Sequence, residues 1–315
     1  MYKGQTLCAV VPAYNEEKLL HVVVETMPEF VDHIVIIDDQ SSDQTAEEAE
    51  RLGAIDKRVV LLRHEVNQGV GGSIATGYKW ARDNEIDMAV VMAGDGQMDP
   101  SDLPALCDLV VEEGVDYSKG NRLVYEEAYR LIPKVRFFGN AALSFLTKVA
   151  SGYWHIADSQ TGYAVISKRA LKAIDWDQMY KRYGQPNDIL IRLNVESMTV
   201  RDVPIKPVYN IGETSGFKAR QVLWPISKLL TRMFLWRLWK KYIIRDAHPL
   251  VLFLALGALL MGLGFLFVLR ILYLWPTQGQ MPEITLILAL FSGTVGFQCL
   301  LFGLWMDMDK NRPKR

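Results

Sequence analysis

Two long stretches near the end of this chain carry no charge, and they limit what it can fold into more than any other feature. Pro249 to Leu269 contains no charged residue, and neither does Ile284 to Trp305. About 20 helical residues cross a hydrocarbon core of about 30 Å. The sequence therefore predicts two transmembrane helices, at about 249–274 and 284–305, joined by the turn-rich link Trp275-Pro-Thr-Gln-Gly-Gln-Met-Pro282. The competing reading is a pair of buried helices in a large soluble core. Arg232, Arg237, Lys240, Lys241 and Arg245 precede the first stretch, and Lys310, Arg312, Lys314 and Arg315 follow the second. Pro276 to Glu283 has neither Lys nor Arg. The positive-inside rule then puts both termini and the N-terminal domain in the cytoplasm, as an integral membrane protein.

Gln221 to Arg245 mixes Trp224, Phe234, Trp236 and Trp239 with six cations. This pattern predicts either an amphipathic helix on an anionic membrane surface or an ordinary surface helix. The expected organisation is an N-terminal domain over 1–220, an interfacial region over 221–247 and the hairpin with its basic tail over 248–315. The net charge of -1 argues against nucleic acid as a partner. Cys8, Cys107 and Cys299 are far apart and odd in number, which reads as packing rather than disulfides or metal. The N-terminus runs straight into a strand, so no signal peptide is expected.

Residues 1–220 alternate short apolar strands with helical segments. Strands are expected at Leu7–Val11, His33–Ile37, Val59–Arg63 and Met88–Met92, and helices over Glu16–Met27, after Ser42 or Asp43, and over Ile74–Asp83. Alternation of this kind implies a parallel α/β sheet with right-handed crossovers. The fourth strand runs into Gly94-Asp-Gly-Gln97. A carboxylate at the carboxyl end of a strand sits where α/β proteins bind ligands. Oxygen ligands there suit Mg²⁺ or Mn²⁺ completed by a diphosphate. Asn67-Gln-Gly-Val-Gly-Gly-Ser73 has neither dinucleotide nor P-loop spacing. It is either a tight turn before a helix or a contact to nucleotide or sugar. His64 and His155 have no ligand spacing.

Seven segments occur in the order of a known family: Val11-Pro-Ala-Tyr-Asn-Glu-Glu17, Ile37-Asp-Asp-Gln-Ser-Ser-Asp43, Gly69-Val-Gly-Gly-Ser73, Gly94-Asp-Gly-Gln97, Gly120-Asn-Arg122, Asp158-Ser-Gln-Thr-Gly-Tyr163 and Val203-Pro-Ile205. Over about residues 5–220 the chain resembles a family 2 glycosyltransferase. Its likeness is to dolichol-phosphate mannosyltransferases and bacterial polyprenyl-phosphate glycosyltransferases, in which the membrane hairpin recurs. The resemblance implies a GT-A fold: a Rossmann-like, mostly parallel catalytic domain, followed by an interfacial helix and a two-helix membrane hairpin. It implies inverting transfer of a sugar from a nucleotide diphosphate-sugar to a membrane polyprenyl phosphate, dolichyl or undecaprenyl. Homo-oligomerisation is left open.

The resemblance also carries over site residues. Pro12, Tyr14, Glu16, Ile37 and Asp39 match nucleotide-binding motifs, and Asp95 and Gln97 match the metal motif. Ala93 stands where the family's first aspartate would be. Arg122 matches an arginine near the phosphates, Arg136 falls near the acceptor-phosphate arginine, and Lys218 falls in a diphosphate loop. The arginine that precedes this loop in mannosyltransferases is replaced by the Tyr209–Asn210 region. Asp158 and Asp188 are candidate bases. Asp158 reads rather more readily as the anchor of the Gln160-Thr-Gly turn, and Asp188 equally as a cap for the helix Ile189–Glu196. An ionised phosphate acceptor scarcely needs a base. Other readings are a different lipid acceptor, such as diacylglycerol or a glycolipid, and a non-catalytic membrane scaffold of the same fold. A polysaccharide synthase is disfavoured, because Gln221-Val-Leu-Trp224 lacks that group's Arg-Trp pair.

Overall fold

The computed structural model describes residues 1–94, 96–126, 128–208 and 219–312, with the side chains of 135, 136 and 219–223 left out. The strands are β1 (Leu7–Ala13), β2 (His33–Asp38), β3 (Val59–Arg63), β4 (Met88–Val91), β5 (Tyr117–Asn121), β6 (Ala164–Ser167) and β7 (Val200–Pro204). The helices are α1 (Leu20–Glu25), α2 (Thr45–Ile55), α3 (Val70–Asp83), α4 (Leu103–Val111), α5 (Ala128–Leu131), α6 (Lys134–Ser151), α7 (Lys168–Ala173), α8 (Gln185–Val195), α9 (Ala219–Arg237), α10 (Leu250–Gln278) and α11 (Glu283–Lys310). Among the described residues these form two compact units, Met1–Phe234 and Leu235–Arg315.

In the first unit the seven strands lie in the order β3-β2-β1-β4-β6-β5-β7. β1 pairs in parallel with β2 and β4, and β2 with β3, as the alternation predicts. The departure is β6, which pairs antiparallel with both β4 and β5. Successive residues of a strand face opposite sides, so β1 sends Cys8 and Val10 into one core layer and Leu7, Ala9 and Val11 into the other. Both faces are apolar because helices cover both.

Local chemistry moves three predicted boundaries. The second helix starts at Thr45 rather than after Ser42, with the Asp43 carboxylate accepting from the Thr45 amide at 3.1 Å. The third starts at Val70, so its glycines form a first helical turn rather than a loop. The helix carrying Asp188 starts at Gln185 behind Gly184, so Asp188 lies inside the first turn and is not the cap.

In the second unit, α10 and α11 are both long and apolar enough to cross a membrane. They pack through small residues: a Cβ on Gly257 would meet Leu300, on Gly264 Gly293, on Gly296 Met261 and on Gly303 Leu254. Close approach of this kind holds apolar helices together where lipid removes the hydrophobic drive. Arg237, fully buried, pairs both guanidinium nitrogens with Asp307 at 2.8 and 3.0 Å, and the Tyr242 hydroxyl donates to Asp307 at 2.5 Å. This polar cluster joins a π-helical segment, Leu238–Arg245, to the end of α11.

Candidate active site

The parallel pairing brings the carboxyl ends of β1, β2 and β4 to one edge, with Ala13 opposite Asp38 and Val10 opposite Val91. Beyond β1, Tyr14 is half exposed, and the Glu16 amide donates to Thr45 Oγ1 at 2.8 Å. Gly94 sits directly against this turn: a Cβ added there would lie 3.4 Å from the Pro12 carbonyl and 3.5 Å from Glu16 Cγ. The fold thus brings Pro12, Glu16 and the acidic loop together. Asp95 lies outside the described residues. It is flanked by Gly94 and by Gly96, whose φ of 69° is left-handed. Ala93 donates its amide to Met98 Sδ at 3.3 Å, and Gln97 is half-buried.

Asp39 is held from within the protein. Its carboxylate is buried and points into the protein, accepting from the Gln68 amide at 2.8 Å and the Gly69 amide at 2.7 Å. His64 Nδ1 lies 2.7 Å from the same group while its Nε2 reaches Thr76 Oγ1 at 2.9 Å. The same acidic group organises the glycine turn. Ile37 is fully buried in the core, between β1 and β3. His64 gave no spacing signal, because its partner is a strand-end carboxylate far away in sequence.

The glycine turn has a packing reason. A Cβ on Gly71 would lie 2.2 Å from the Tyr180 carbonyl, and the Gly72 amide donates to the Lys181 carbonyl at 3.1 Å. Tyr180 in turn donates its amide to Asp188 Oδ2 at 2.7 Å. Arg192, one turn further along α8, donates Nε to the same oxygen at 3.0 Å. Burial pushes the Asp188 carboxyl above its ordinary range, against the pull of Arg192.

Arg122 follows β5 and is braced by Asp158. Its Nε lies 2.8 Å from Oδ2 and its Nη2 3.2 Å from Oδ1. Asp158 also accepts from the Gln160 amide at 2.9 Å, so it anchors the turn as well. Burial would raise this carboxyl, but Arg122, Lys119 and the Gln160 amide outweigh it and hold it below its ordinary value. Asp158 is thus held as a carboxylate by its partners. The sequence reading missed Lys119, fully buried on β5, whose Nζ donates to the Thr161 carbonyl. Arg136 lies in the first turn of α6, with its side chain outside the described part, and Lys218 lies outside the described residues altogether.

A family model described as Glycosyl transferase family 2 matches residues 8–175. The chain belongs to this family. It is a glycosyltransferase with the GT-A fold and a candidate transmembrane hairpin. It is 33% identical over 213 residues to a UDP-N-acetylglucosamine–dolichyl-phosphate N-acetylglucosaminyltransferase of Methanococcus voltae, covering 64% of this chain and 84% of that one. It is 28% identical over 199 residues to an undecaprenyl-phosphate mannosyltransferase of Micrococcus luteus, covering 62% and 81%. Among solved structures, glucosyl-3-phosphoglycerate synthase of Mycobacterium tuberculosis, in complex with Mg²⁺ and UDP, superposes with a TM-score of 0.55 at 18% identity, over 74% of this chain and 79% of that one.

Among the described residues no three acidic, histidine or cysteine side chains gather as a metal site. Asp95 and Gln97 remain the candidates that the sequence offers for holding a cation. Both are oxygen donors, which fits a hard divalent ion.

Proposed function

We propose that this glycosyltransferase moves a sugar, with inversion, from a nucleotide diphosphate-sugar to a membrane polyprenyl phosphate. The observation that carries the reading is the braced Arg122. A guanidinium fixed by a buried carboxylate is a preorganised phosphate donor pair, and it belongs to a chain that ends in two membrane-length apolar helices. The names of the relatives from M. voltae and M. luteus support the acceptor class.

In this reading Pro12, Tyr14, Glu16 and Asp39 border the nucleotide, with Ile37 packed behind them. Asp95 and Gln97 hold Mg²⁺ or Mn²⁺, which when bound offsets the charge of the diphosphate leaving group. Lys218 adds positive charge on the donor side, and Arg122 and Arg136 receive the acceptor phosphate. That phosphate is already anionic, so neither Asp158 nor Asp188 is asked to take a proton. The catalytic domain, 1–220, and both termini are cytoplasmic. The segment 221–247 lies on the membrane surface, and 248–315 holds the spans.

The test is a screen of radiolabelled nucleotide-sugars with polyprenyl phosphate and the full-length protein, extracting labelled lipid. One sugar should label the lipid, and excess chelator or Asp95→Asn should abolish it. Label appearing only on diacylglycerol, or full activity of Asp95→Asn, contradicts the proposal.

A further inference from the structure

A cavity of about 390 Å³ opens between the segment before α8 and the middle of α9. Its walls differ in character. Leu229 and Met233 of α9 line one side, and four cations line the cavity: Arg192, which is paired with Asp188, and Lys181, Arg182 and Arg232. Asp188 forms part of the lining and is 1% exposed. Its Oδ2 is fully used by Tyr180 and Arg192, but its Oδ1 has no hydrogen-bond partner among the described residues. A buried carboxylate oxygen without a donor is costly and calls for one from a ligand. Among the described residues Arg182 and Arg232 make no ion pair. Lys181 rests on Gln68 Oε1 at 2.9 Å.

This combination selects a ligand. The cations ask for an anion, and phosphate matches guanidinium geometry. A bare phosphate would meet the Asp188 carboxylate and be repelled by it. A phosphate ester that also carries a hydroxyl resolves the conflict, since the hydroxyl donates to Oδ1 while the phosphate faces Arg182 and Arg232. The apolar wall and the position on α9 favour a lipid as its source. Trp224, on the same helix, is 77% exposed, and the first membrane-length helix begins at Leu250. Basic patches at a membrane surface attract acidic lipid heads for the same electrostatic reason.

We infer that this cavity binds the headgroup of a bilayer phosphodiester lipid bearing a free hydroxyl, of the phosphatidylglycerol class, separately from the acceptor phosphate at Arg122. The inference rests on the membrane placement of α9 and not on the identity of the transferred sugar.

The experiment uses full-length protein in neutral detergent, without polyprenyl phosphate. Binding is measured for four soluble probes: dioctanoyl phosphatidylglycerol, dioctanoyl phosphatidylmethanol, dioctanoyl phosphatidylcholine and inorganic phosphate. Phosphatidylglycerol should bind tightest. Phosphatidylmethanol, with the same charge and no hydroxyl, should bind about tenfold more weakly. Arg232→Gln and Arg182→Gln should each weaken phosphatidylglycerol binding about tenfold or more, while basal sugar transfer in lipid-free detergent stays unchanged. Equal binding of phosphatidylglycerol and phosphatidylmethanol removes Asp188 from the site and overturns the assignment. So does inorganic phosphate binding as tightly as the lipid, which would mark a free-anion site. Loss of basal transfer in Arg232→Gln with lipid binding intact also overturns it, because the arginine would then belong to the reaction.

Discussion

Arg122 and Asp158 form a two-point ion pair, with Nε to Oδ2 at 2.8 Å and Nη2 to Oδ1 at 3.2 Å. Asp158 is fully buried, while the arginine keeps 20% of its side chain exposed. The carboxylate is thus the fixed partner, and the guanidinium is the part that can meet a ligand.

Replacing Asp158 by Asn keeps the shape and removes the charge. Breaking a buried pair from one side costs on the order of 3 kcal/mol, which lowers the melting temperature by roughly 6–12 °C in a domain of this size. Use of the acceptor should fall with it, because Arg122 loses its orientation. The folded carboxyl sits below its ordinary value. Its stabilisation is therefore present above about pH 4 and is lost as pH falls through the folded pKa. Thermal unfolding of both proteins from pH 3 to 7 checks this, since Asp158→Asn should lack that acid limb.

Two glycine substitutions should act in opposite directions. In Gly71→Ala the new Cβ would lie 2.2 Å from the Tyr180 carbonyl and 2.8 Å from Gln185 Cβ. Backbone cannot yield cheaply, so a loss of about 1–3 kcal/mol or more is expected. The nearest atom to a Cβ on Gly53, within α2, would be Val59 Cγ1 at 3.7 Å, an ordinary contact. Gly53→Ala should stabilise by up to about 1 kcal/mol. Melting temperatures of the two variants measure both signs. A stable Gly71→Ala would mean that the turn does not press on the segment leading to α8.

The parallel strands were legible because buried β1, β2 and β4 are continuous apolar runs, and the two apolar stretches announced α10 and α11. The antiparallel β6 was not. It returns after the long excursion from Arg122 to Tyr163, and nothing in Ala164–Ser167 fixes its direction. At the site, sequence order located Pro12, Glu16 and Gly94 beside one another. It could not say where a carboxylate points. Asp39 is tied to the amides of Gln68 and Gly69, partners set by the packing of the glycine turn. Lys119 was invisible because its partner is a backbone carbonyl, Thr161, with no side-chain signature.

Lys119 should give the protein an alkaline signature. Burial is the main force on it. Asp158 pulls the other way and Arg122 adds to it, leaving a pKa of about 7 against an ordinary 10.5. Between those values the unfolded lysine holds a proton that the folded one has released. Stability then rises with pH across that window, and the cost of the buried charge is complete below it. Lys119→Met has no such term. The melting temperature of wild type minus that of Lys119→Met should therefore grow from pH 7 toward pH 10. Parallel profiles would mean that Lys119 stays charged throughout.

The proposed topology places Pro276 to Glu283 across the membrane from the catalytic domain. Gly279 ends α10 with a left-handed φ of 67°, and Gln278 and Gln280 are exposed beside it. A cysteine introduced at Gln278 should react with an impermeant thiol reagent in intact cells, and one at Lys310 should react only after permeabilisation. The reverse pattern inverts the orientation.

The acceptor site yields the remaining test. Arg122 and Arg136 lie between the acidic loop and Asp158 in sequence, and Arg136 sits in the first turn of α6 directly behind Pro133. A polyprenyl phosphate brings an oxygen that is already anionic, so its reactivity depends on being held rather than on being deprotonated. A charge-assisted contact to phosphate is worth roughly 1.5–3 kcal/mol, which is roughly one to two decades of acceptor kcat/KM. Arg136→Ala should lose that much while the KM for the nucleotide-sugar barely moves, because the donor contacts proposed around Pro12, Asp95 and Lys218 are untouched. Arg136→Lys should recover only part, since an ammonium keeps the charge but not the two-point geometry. Steady-state kinetics with each substrate varied in turn separates the outcomes. A donor KM that rises as much as the acceptor term falls would place Arg136 at the diphosphate instead, and an unchanged acceptor term would leave it as a solvated cation on α6.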